Sequence, residues 1–224
     1  MKGVRFRVSM KFRKYDLQMH SVYSHDGIMQ PETIVARAKK IGLDGVAITD
    51  HNTVRGGLEA KKYESDDFEV VVGSEILTNK GEVIGLFLKK EIEERDFSKV
   101  VREIKKQGGL VLVPHPFDRL RRHVLKIPLK DLKFIDCFEC YNARAVFKED
   151  NFKAQRFAQL HGLAQTGGSD AHLLNEIGNG LTLCRGSLRR ALLRGETRWA
   201  GRRKSFLFNH GFTKLVKWKG KFFS

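Results

Sequence analysis

Histidine and acidic residues fall in five short clusters, and almost every cluster follows a strand-like apolar run. The clusters are residues 16–20, 48–52, 73–75, 114–116 and 168–172. Imidazoles and carboxylates without cysteine are ligands that suit a hydrolytic site for Zn²⁺, Mn²⁺ or Fe²⁺. One histidine at a strand end is more often structural, but five clusters at equivalent places in successive units indicate one shared site.

The elements that would position these clusters alternate between strand and helix. Apolar runs predict strands at residues 15–20, 44–49, 70–77, 83–88, 110–114, 134–141, 163–166 and 181–184. Helical spacing predicts helices at residues 31–41, 57–63, 97–107 and 151–161. This alternation predicts a parallel sheet covered by helices, and the number of units favours closure into a β/α barrel. The clusters would then meet at the carboxyl ends of the strands.

The net charge of the chain, +16 over 224 residues, is concentrated at its carboxyl end. Residues 185–224 contain 12 Lys and Arg and a single acid, whereas the first 184 residues carry a net charge of only +5. We therefore expect one barrel domain over residues 1–184 and a basic extension over residues 185–224 that packs on or beside it. A basic face attracts phosphate-rich partners, although a solvated basic surface is the simpler alternative.

The composition also argues against membrane and secreted classes. No apolar run approaches the ~18–20 residues needed to span a bilayer, and the basic start of the chain lacks an apolar signal-peptide core. The three cysteines cannot all pair with one another. Cys137 and Cys140, three residues apart in a predicted strand, are expected to pack on opposite faces. We expect a cytoplasmic protein with no membrane partner.

Six motifs together resemble the PHP (polymerase and histidinol phosphatase) family, in its short archaeal and bacterial form. They are Asp16-Leu17-Gln18-Met19-His20-Ser21, Ser24-His25-Asp26-Gly27, Ile48-Thr49-Asp50-His51-Asn52, Gly73-Ser74-Glu75, His115-Pro116 and Gly168-Ser169-Asp170-Ala171-His172. The resemblance runs from about residue 15 to residue 183 in the family's order. It implies a distorted (β/α)7 TIM-like barrel that holds two or three divalent ions (Mn²⁺, Zn²⁺, Fe²⁺ or Mg²⁺) and hydrolyses phosphoesters.

Carried over motif by motif, the resemblance implies three overlapping sets of metal ligands. The sets are His20, Glu75 and Asp170; Asp26, His51 and His172; and Glu75, Glu82 and His115. Glu75 would bridge two ions, and Glu75, Asp170 and His51 would be the catalytic residues. Asp50, beside His51, would either orient that imidazole or cap a helix.

Two positions depart from the family's pattern, and a third is ambiguous. Gln18 stands where the family has a further histidine, and an amide is a poor ligand that would weaken the first site. Glu82 stands where relatives often have histidine; it would favour Mn²⁺ or Mg²⁺, unless it is only an exposed acid beside a turn. Some relatives carry their acid at the position of His25, but Asp26 is the favoured ligand here because it keeps the carboxylate.

Arginines near the predicted site would bind the substrate phosphate. Arg119, Arg121 and Arg122 follow His115 along the chain, and Arg144 follows a predicted strand end. Guanidinium groups match phosphate in two-point contacts. We expect Arg119 and Arg144 to make these contacts, the alternative being that they are surface arginines on loops.

The expected function is hydrolysis of phosphate esters of nucleotides or nucleic acid ends. The enzyme would be a nucleoside 3′,5′-bisphosphate phosphatase or a 5′-3′ exonuclease, with a nucleotide or a short RNA or DNA end as its partner. One alternative is a small-molecule phosphatase of the histidinol-phosphatase type. Another is a non-catalytic nucleic-acid-binding subunit that has lost its metals, which the number of retained ligands disfavours.

Overall fold

Strands and helices alternate over most of the chain in the computed structural model, which describes residues 11–126 and 128–202. The strands are β1 (Arg13–Asp16), β2 (Gly45–Ile48), β3 (Glu69–Thr78), β4 (Gly81–Leu86), β5 (Leu110–Val113), β6 (Cys137–Asn142), β7 (Ala164–Gly168), β8 (Gly180–Cys184) and β9 (Arg198–Gly201). The α-helices are α1 (Pro31–Lys40), α2 (Arg55–Ala60), α3 (Phe97–Lys106), α4 (Lys148–Leu160) and α5 (Leu188–Arg194). Each predicted helix and strand of the barrel is present, with bounds shifted by a few residues.

Local chemistry explains where the longer helices begin and end. Pro31 stands at the start of α1, where its fixed φ favours the helix and its missing N–H costs nothing. Asp96 caps α3 by accepting a hydrogen bond from the Lys99 backbone N–H at 3.1 Å. Gly108 follows α3 at φ +76°, a left-handed conformation that glycine adopts without strain.

The nine strands form one curved sheet in the order β7-β6-β5-β4-β3-β2-β1-β8-β9. The sheet nearly closes, because β7, at one end of this order, lies beside β8 near the other end. The Gly167 N–H of β7 donates to Thr182 Oγ1 of β8 at 2.9 Å, and the Thr182 hydroxyl donates to the Gly167 carbonyl at 2.9 Å. At the carboxyl end, the His20 N–H donates to the Ala171 carbonyl at 2.9 Å. The predicted α/β barrel is therefore confirmed as a nearly closed, barrel-like sheet.

The sheet is mixed rather than wholly parallel, which corrects the predicted strand directions. β4 is antiparallel to both β3 and β5, and β8 is antiparallel to both β1 and β9. The reason is connection length, because a parallel neighbour needs a crossover of a dozen or more residues. Only residues 79 and 80 separate β3 from β4, so the two strands form a hairpin.

Apolar side chains fill the barrel and the space beneath its helices. Inside the barrel, Leu17, Val71 and Leu112 pack with Leu188 and Leu192 of α5, which closes the end opposite the predicted site. Two further clusters pack α1 and the pair α3 and α4 against the outer face of the sheet. No helix among residues 11–126 and 128–202 has the length and apolar character needed to cross a membrane.

The two cysteines of β6 belong to different parts of this core. Cys137 packs in the barrel interior and Cys140 in the cluster beneath α3 and α4, as expected for alternating strand side chains. Both are buried free thiols. Burial raises the pKa of Cys140 to about 12, so its thiol stays protonated and unreactive.

The predicted basic extension begins with two ordered elements. Helix α5 comes first, and β9 then pairs with β8, with Leu181 opposite Ala200. The Trp199 ring stacks on Tyr141 with ring centroids 5.3 Å apart. The domain boundary at residues 184 and 185 stays a prediction, and the predicted packing of residues 203–224 lies outside the described residues.

Candidate metal centre

The predicted ligands come together from strands β3 and β4 and from the segments that follow β1, β2, β5 and β7. Isolated bridges join Met19 to Ala171, past the ends of β1 and β7, and His51, past the end of β2, to Glu75 within β3. The ligands are buried apart from His51, which is half-buried; the buried set is His20, Asp26, Glu75, Glu82, His115, Asp170 and His172. The predicted meeting of the clusters at the carboxyl end of the barrel is present in the structure.

A serine and aspartate network sets the tautomer of His20. The Asp50 carboxylate accepts hydrogen bonds from Ser21 Oγ at 2.7 Å and from Ser24 Oγ at 3.0 Å. Because the single hydroxyl proton of Ser24 goes to Asp50, Ser24 Oγ accepts from His20 Nδ1 at 3.2 Å. His20 Nε2 is therefore the ring nitrogen that faces the cluster, where it would offer its lone pair to a bound cation.

This network replaces both roles expected for Asp50. Its carboxylate binds the loop that carries Ser21 and Ser24 rather than His51, and the N-cap of α2 is Val54. Gly56 of α2 permits the arrangement, because a Cβ at that position would lie 1.9 Å from Asp50 Oδ2.

Three buried ligand atoms converge without forming a hydrogen bond to any of the described residues. His20 Nε2 lies 3.3 Å from Glu75 Oε2 and 3.3 Å from Asp170 Oδ1, and all three atoms lack a hydrogen-bond partner within the described part of the chain. Buried polar atoms are nearly always paired, so this convergence fits a cation. These residues are the first predicted ligand set.

The second predicted set surrounds the Asp26 carboxylate. Asp26 Oδ2 lies 3.2 Å from His172 Nε2 and 3.6 Å from His51 Nε2. The ring of His20 contacts both histidines, at centroid distances of 4.4 Å to His172 and 4.6 Å to His51. His25 has a side chain that is 67% exposed, with its Nε2 3.9 Å from Asp26 Oδ2. Asp26 is thus the buried residue of this pair, and the exposed His25 lies at the edge of the cluster, in a candidate ligand group with Asp26 and His51.

The third predicted set is also assembled. His115 Nε2 lies 2.8 Å from Glu75 Oε1 and 3.8 Å from Glu82 Oε2, and one ligand atom from each residue lies within 4.8 Å of the others. Glu82 is buried rather than exposed at the turn. His115 has φ +30° and Asp170 has φ +54°. Non-glycine residues rarely adopt positive φ, and such strain is concentrated at functional sites.

Gln18 enters the centre as a hydrogen-bonding residue. Its Nε2 donates to Glu75 Oε1 at 3.2 Å, and its Oε1 accepts from Asn142 Nδ2 at 3.2 Å. Asn142 Nδ2 also lies 3.0 Å from Glu139 Oε2 and 3.4 Å from Asp170 Oδ2. The side-chain amides of Gln18 and Asn142 therefore link the carboxylates of Glu75, Glu139 and Asp170. A histidine at position 18 would approach the same carboxylates.

The arginines divide differently from the sequence-based prediction. Arg119 binds Asp150 through Nη2 at 2.7 Å and stacks over Phe147, so its guanidinium is directed away from the cluster. Arg121 instead donates to Asp170 Oδ2. Arg144, as predicted, lies at the centre and contacts His172 Nδ1. Arg121 thus lies beside the cluster, where Arg119 was expected. Arg119 does not reach the cluster because it forms an ion pair with Asp150.

The charges of the centre raise or lower the pKa of each group. Burial and the nearby Glu75 charge raise the pKa of Glu82 to about 7. Burial alone would raise the pKa of Asp170, but the Arg121 guanidinium and His20 hold it well below its usual range. Burial would lower the pKa of His20, yet Asp170 and Glu75 raise it well above its usual range. Carboxylates that stabilise a proton on an imidazole would also stabilise a metal cation there.

Four supporting residues were missed by sequence reasoning. Ser24 and Asn142 hold the ligands, and Glu139 accepts a hydrogen bond from the His115 backbone N–H at 2.7 Å. Asp16 joins two loops by accepting from the backbone N–H groups of Ser169 at 2.9 Å and Gly178 at 2.8 Å. Asn142 and Asp16 at strand ends were visible as polar residues after apolar runs, but their contacts depend on distant segments.

Comparisons with known proteins find a matching family model and similar sequences. A model of the PHP-associated (PHP_C) family matches residues 148–197, from the start of α4 to the residue before β9. An uncharacterised protein of Methanocaldococcus jannaschii is 41% identical over 142 residues, which cover 58% of this chain and 83% of that protein. A 5′-3′ exoribonuclease of Haemophilus influenzae is 40% identical over 68 residues, 30% of this chain and 24% of the exoribonuclease.

The fold has a counterpart of known structure. A two-domain protein of Bacteroides vulgatus that contains a predicted PHP-like metal-dependent phosphoesterase superposes with a TM-score of 0.73 at 23% identity. The match covers 86% of this chain and 66% of that protein. With the barrel and its cluster of histidines and carboxylates, these matches show that the chain belongs to the PHP family.

Proposed function

We propose that the chain is a divalent-metal-dependent phosphoesterase that hydrolyses phosphate esters of nucleotides or nucleic acid ends. The observation that carries the proposal is the convergence of His20 Nε2, Glu75 Oε2 and Asp170 Oδ1 without a hydrogen-bond partner from the described residues. The partial match to an exoribonuclease supports the nucleic acid substrate class. The strongly basic composition is compatible with it.

The donor sets fit two or three divalent ions. His20, Glu75 and Asp170 would hold the first, and Asp26, His51 and His172 the second. Glu82 and His115 would complete a third set with Glu75, whose two oxygens face different sets and suit a bridging role. Four carboxylates among eight ligands form a mixed oxygen and nitrogen environment, which suits Mn²⁺, Fe²⁺ or Zn²⁺.

Bound divalent ions would neutralise the phosphoester anion and lower the pKa of a water molecule toward ~7. The chain's own residues orient this chemistry. Ser24 holds His20 in the tautomer with its lone pair inward. His172 Nδ1 lies 2.8 Å from the Asp170 carbonyl, and this ring orientation directs His172 Nε2 at Asp26.

Two arginines would bind the substrate phosphate. Arg144 and Arg121 border the centre on either side of Asp170, since Arg144 Nη1 lies 3.5 Å from the Asp170 carbonyl and Arg121 donates to its carboxylate. The planar fork of a guanidinium matches phosphate oxygens in two-point contacts. Arg119 is not assigned this role because Asp150 binds it.

The test is release of phosphate or nucleotide by the purified protein with added Mn²⁺. The substrates would be a nucleoside 3′,5′-bisphosphate, a 5′-phosphorylated RNA oligomer and histidinol phosphate. We expect turnover of the first or second substrate, abolished by a chelator and restored by metal. Preference for histidinol phosphate would favour a small-molecule phosphatase, and salt-dependent RNA binding with no bound metal and no turnover would favour the non-catalytic subunit.

A further inference from the structure

A groove of about 240 Å³ lies beside the metal centre, at the same end of the barrel. Its lining includes Tyr141, Asn142, Phe152 and Trp199. Tyr141 and Asn142 are the last residues of β6, and Trp199 lies on β9, which runs in the same direction as β1 because both are antiparallel to β8. The groove and the ligands therefore share the carboxyl-end face.

Aromatic rings line the groove, and one of them, Trp199, also packs against the core cluster beneath α3 and α4. Tyr141 and Trp199 stack with an interplanar angle of 4°, and the Gly201 backbone lies against the Tyr141 ring. Phe152, on the first turns of α4, is 57% exposed although it is a large apolar side chain. The volume is smaller than the ~300 Å³ of typical drug-sized pockets and suits a single planar ring system.

One short loop separates the groove from the centre. Asn142 lines the groove, while its side-chain Nδ2 lies 3.4 Å from Asp170 Oδ2. Ala143 and Ala145 line the groove, and Arg144 between them contacts His172 of the centre. The reciprocal bonds of Asn142 with the Asn151 amide, both 3.1 Å, fix this edge. A ring in the groove and a phosphate at the centre would thus contact the two sides of the same loop.

We propose that this groove binds the nucleobase adjacent to the scissile phosphate. The inference rests on the proposed phosphoesterase function and narrows its substrate to molecules with an aromatic base next to the phosphate. Stacking on aromatic side chains tolerates any base, so the groove would favour nucleotides over sugar phosphates without strict sequence preference. Lys148 at the groove edge adds a cation near the sugar-phosphate backbone.

The first experiment measures base binding without turnover. Replacing Trp218 by phenylalanine leaves Trp199 as the only tryptophan of the chain. In chelator-treated protein, adenosine should quench Trp199 fluorescence with a saturable curve, and ribose should not. Phe152→Ala should weaken adenosine binding about tenfold, the scale expected for loss of one stacking partner. Leu160→Ala, which truncates another exposed apolar residue of α4, should leave it unchanged.

The second experiment uses the Mn²⁺-loaded protein. Phe152→Ala should raise KM for a nucleoside bisphosphate about tenfold, with a smaller change in kcat and no change in inhibition by inorganic phosphate. Equal effects of Phe152→Ala and Leu160→Ala on adenosine binding would overturn the proposal. Adenosine binding that appears only after Phe206, Phe208 and Phe212 are replaced by serine would mean that residues 203–224 of the chain occupy the groove. This result would also overturn the proposal. Absence of turnover with intact adenosine binding would count against the proposed function alone.

Discussion

The lone pair of His20 is oriented by side chains from two other parts of the chain. Asp50 accepts a hydrogen bond from Ser24 Oγ, Ser24 Oγ accepts one from His20 Nδ1, and His20 Nε2 is left facing Glu75 and Asp170. Such outer residues typically affect metal affinity by ~10–100-fold. The centre therefore depends on residues whose side chains do not themselves reach the cation position.

Replacing Asp170 by asparagine should abolish turnover and lower the metal content. The change removes one ligand charge and leaves Arg121 without its carboxylate partner, so we expect activity to fall by more than ~100-fold. The bound metal per chain, measured by elemental analysis, should fall while the folded circular dichroism spectrum persists. Asp150→Asn is the matched control, because Asp150 is also a buried aspartate bound to an arginine but lies outside the cluster. Wild-type metal content in Asp170→Asn would contradict the ligand assignment.

Replacing Gln18 by histidine should raise metal affinity. An imidazole is a better ligand than an amide for Zn²⁺ or Mn²⁺, and the Gln18 side chain already contacts Glu75 at 3.2 Å. We expect calorimetry to give at least about tenfold tighter binding at one site. Unchanged affinity, with a folded variant, would mean that a side chain at position 18 does not reach the cation.

At the scale of elements, helix α2 is joined to the metal centre through a close approach. Gly56→Ala would bring a methyl group within 1.9 Å of Asp50 Oδ2 and 2.4 Å of Ser21 Oγ. Alanine normally stabilises a helix relative to glycine, but here we expect the free energy of unfolding to fall by ~1–3 kcal/mol.

Denaturant unfolding measures this effect, and Gly57→Ala is the control. The nearest atom to a Cβ at Gly57 is a Val72 methyl group at 3.0 Å, which can shift more readily than a fixed carboxylate. A larger loss of stability in Gly57→Ala than in Gly56→Ala would contradict the role assigned to the Asp50 network.

Asp16 couples the end of β1 to two loops and should give the stability a pH dependence. Burial outweighs its hydrogen bonds and raises the pKa of Asp16 to about 7, above its usual value near 3.8. The folded state therefore binds a proton that the unfolded state has released between pH 4 and 7. The contribution of Asp16 is fully present below pH 4 and is lost as pH rises through 7, at up to ~1.4 kcal/mol per pH unit. The contribution of Asp16 is measured by comparing the free energy of unfolding of the wild type and of Asp16→Asn, from denaturant unfolding, across this pH range. Parallel pH profiles of the two proteins would contradict the prediction.

At the scale of the whole molecule, the uneven charge predicts salt-dependent binding of single-stranded RNA. Each cation that contacts a phosphate contributes about −0.7 to the slope of log affinity against log salt concentration. If the basic extension contacts the RNA, replacing Lys214, Lys217, Lys219 and Lys221 by glutamine should reduce the steepness of this slope by about 3. The control replaces four other lysines by glutamine and so removes the same charge: Lys39 and Lys40 at the end of α1, and Lys61 and Lys62 just after α2. An equal reduction of the slope in both variants would mean that the basic extension acts only through net charge.

Agreement between sequence and structure is best where local chemistry decides. The helix starting at Pro31 and the polar clusters at strand ends were predictable, because each depends on neighbours in the chain. Arg119 and Arg121 differ in sequence position by two residues, yet only their tertiary partners, Asp150 and Asp170, decide which one enters the centre. Sequence nearness does not determine side-chain direction on a loop.

The sequence by itself determined the family, the barrel class and the types of ligand, because motif order and hydrophobic pattern are properties of the chain alone. The tertiary structure decided the antiparallel strands, the burial of Glu82, the choice of Asp26 over His25 as the inward residue, and the aromatic groove beside the centre. These features arise where segments distant in sequence meet: the Tyr141 and Trp199 rings stack 58 positions apart, and Gln18 meets Asn142 across 124. Such contacts depend on packing geometry, which no local pattern of residues encodes.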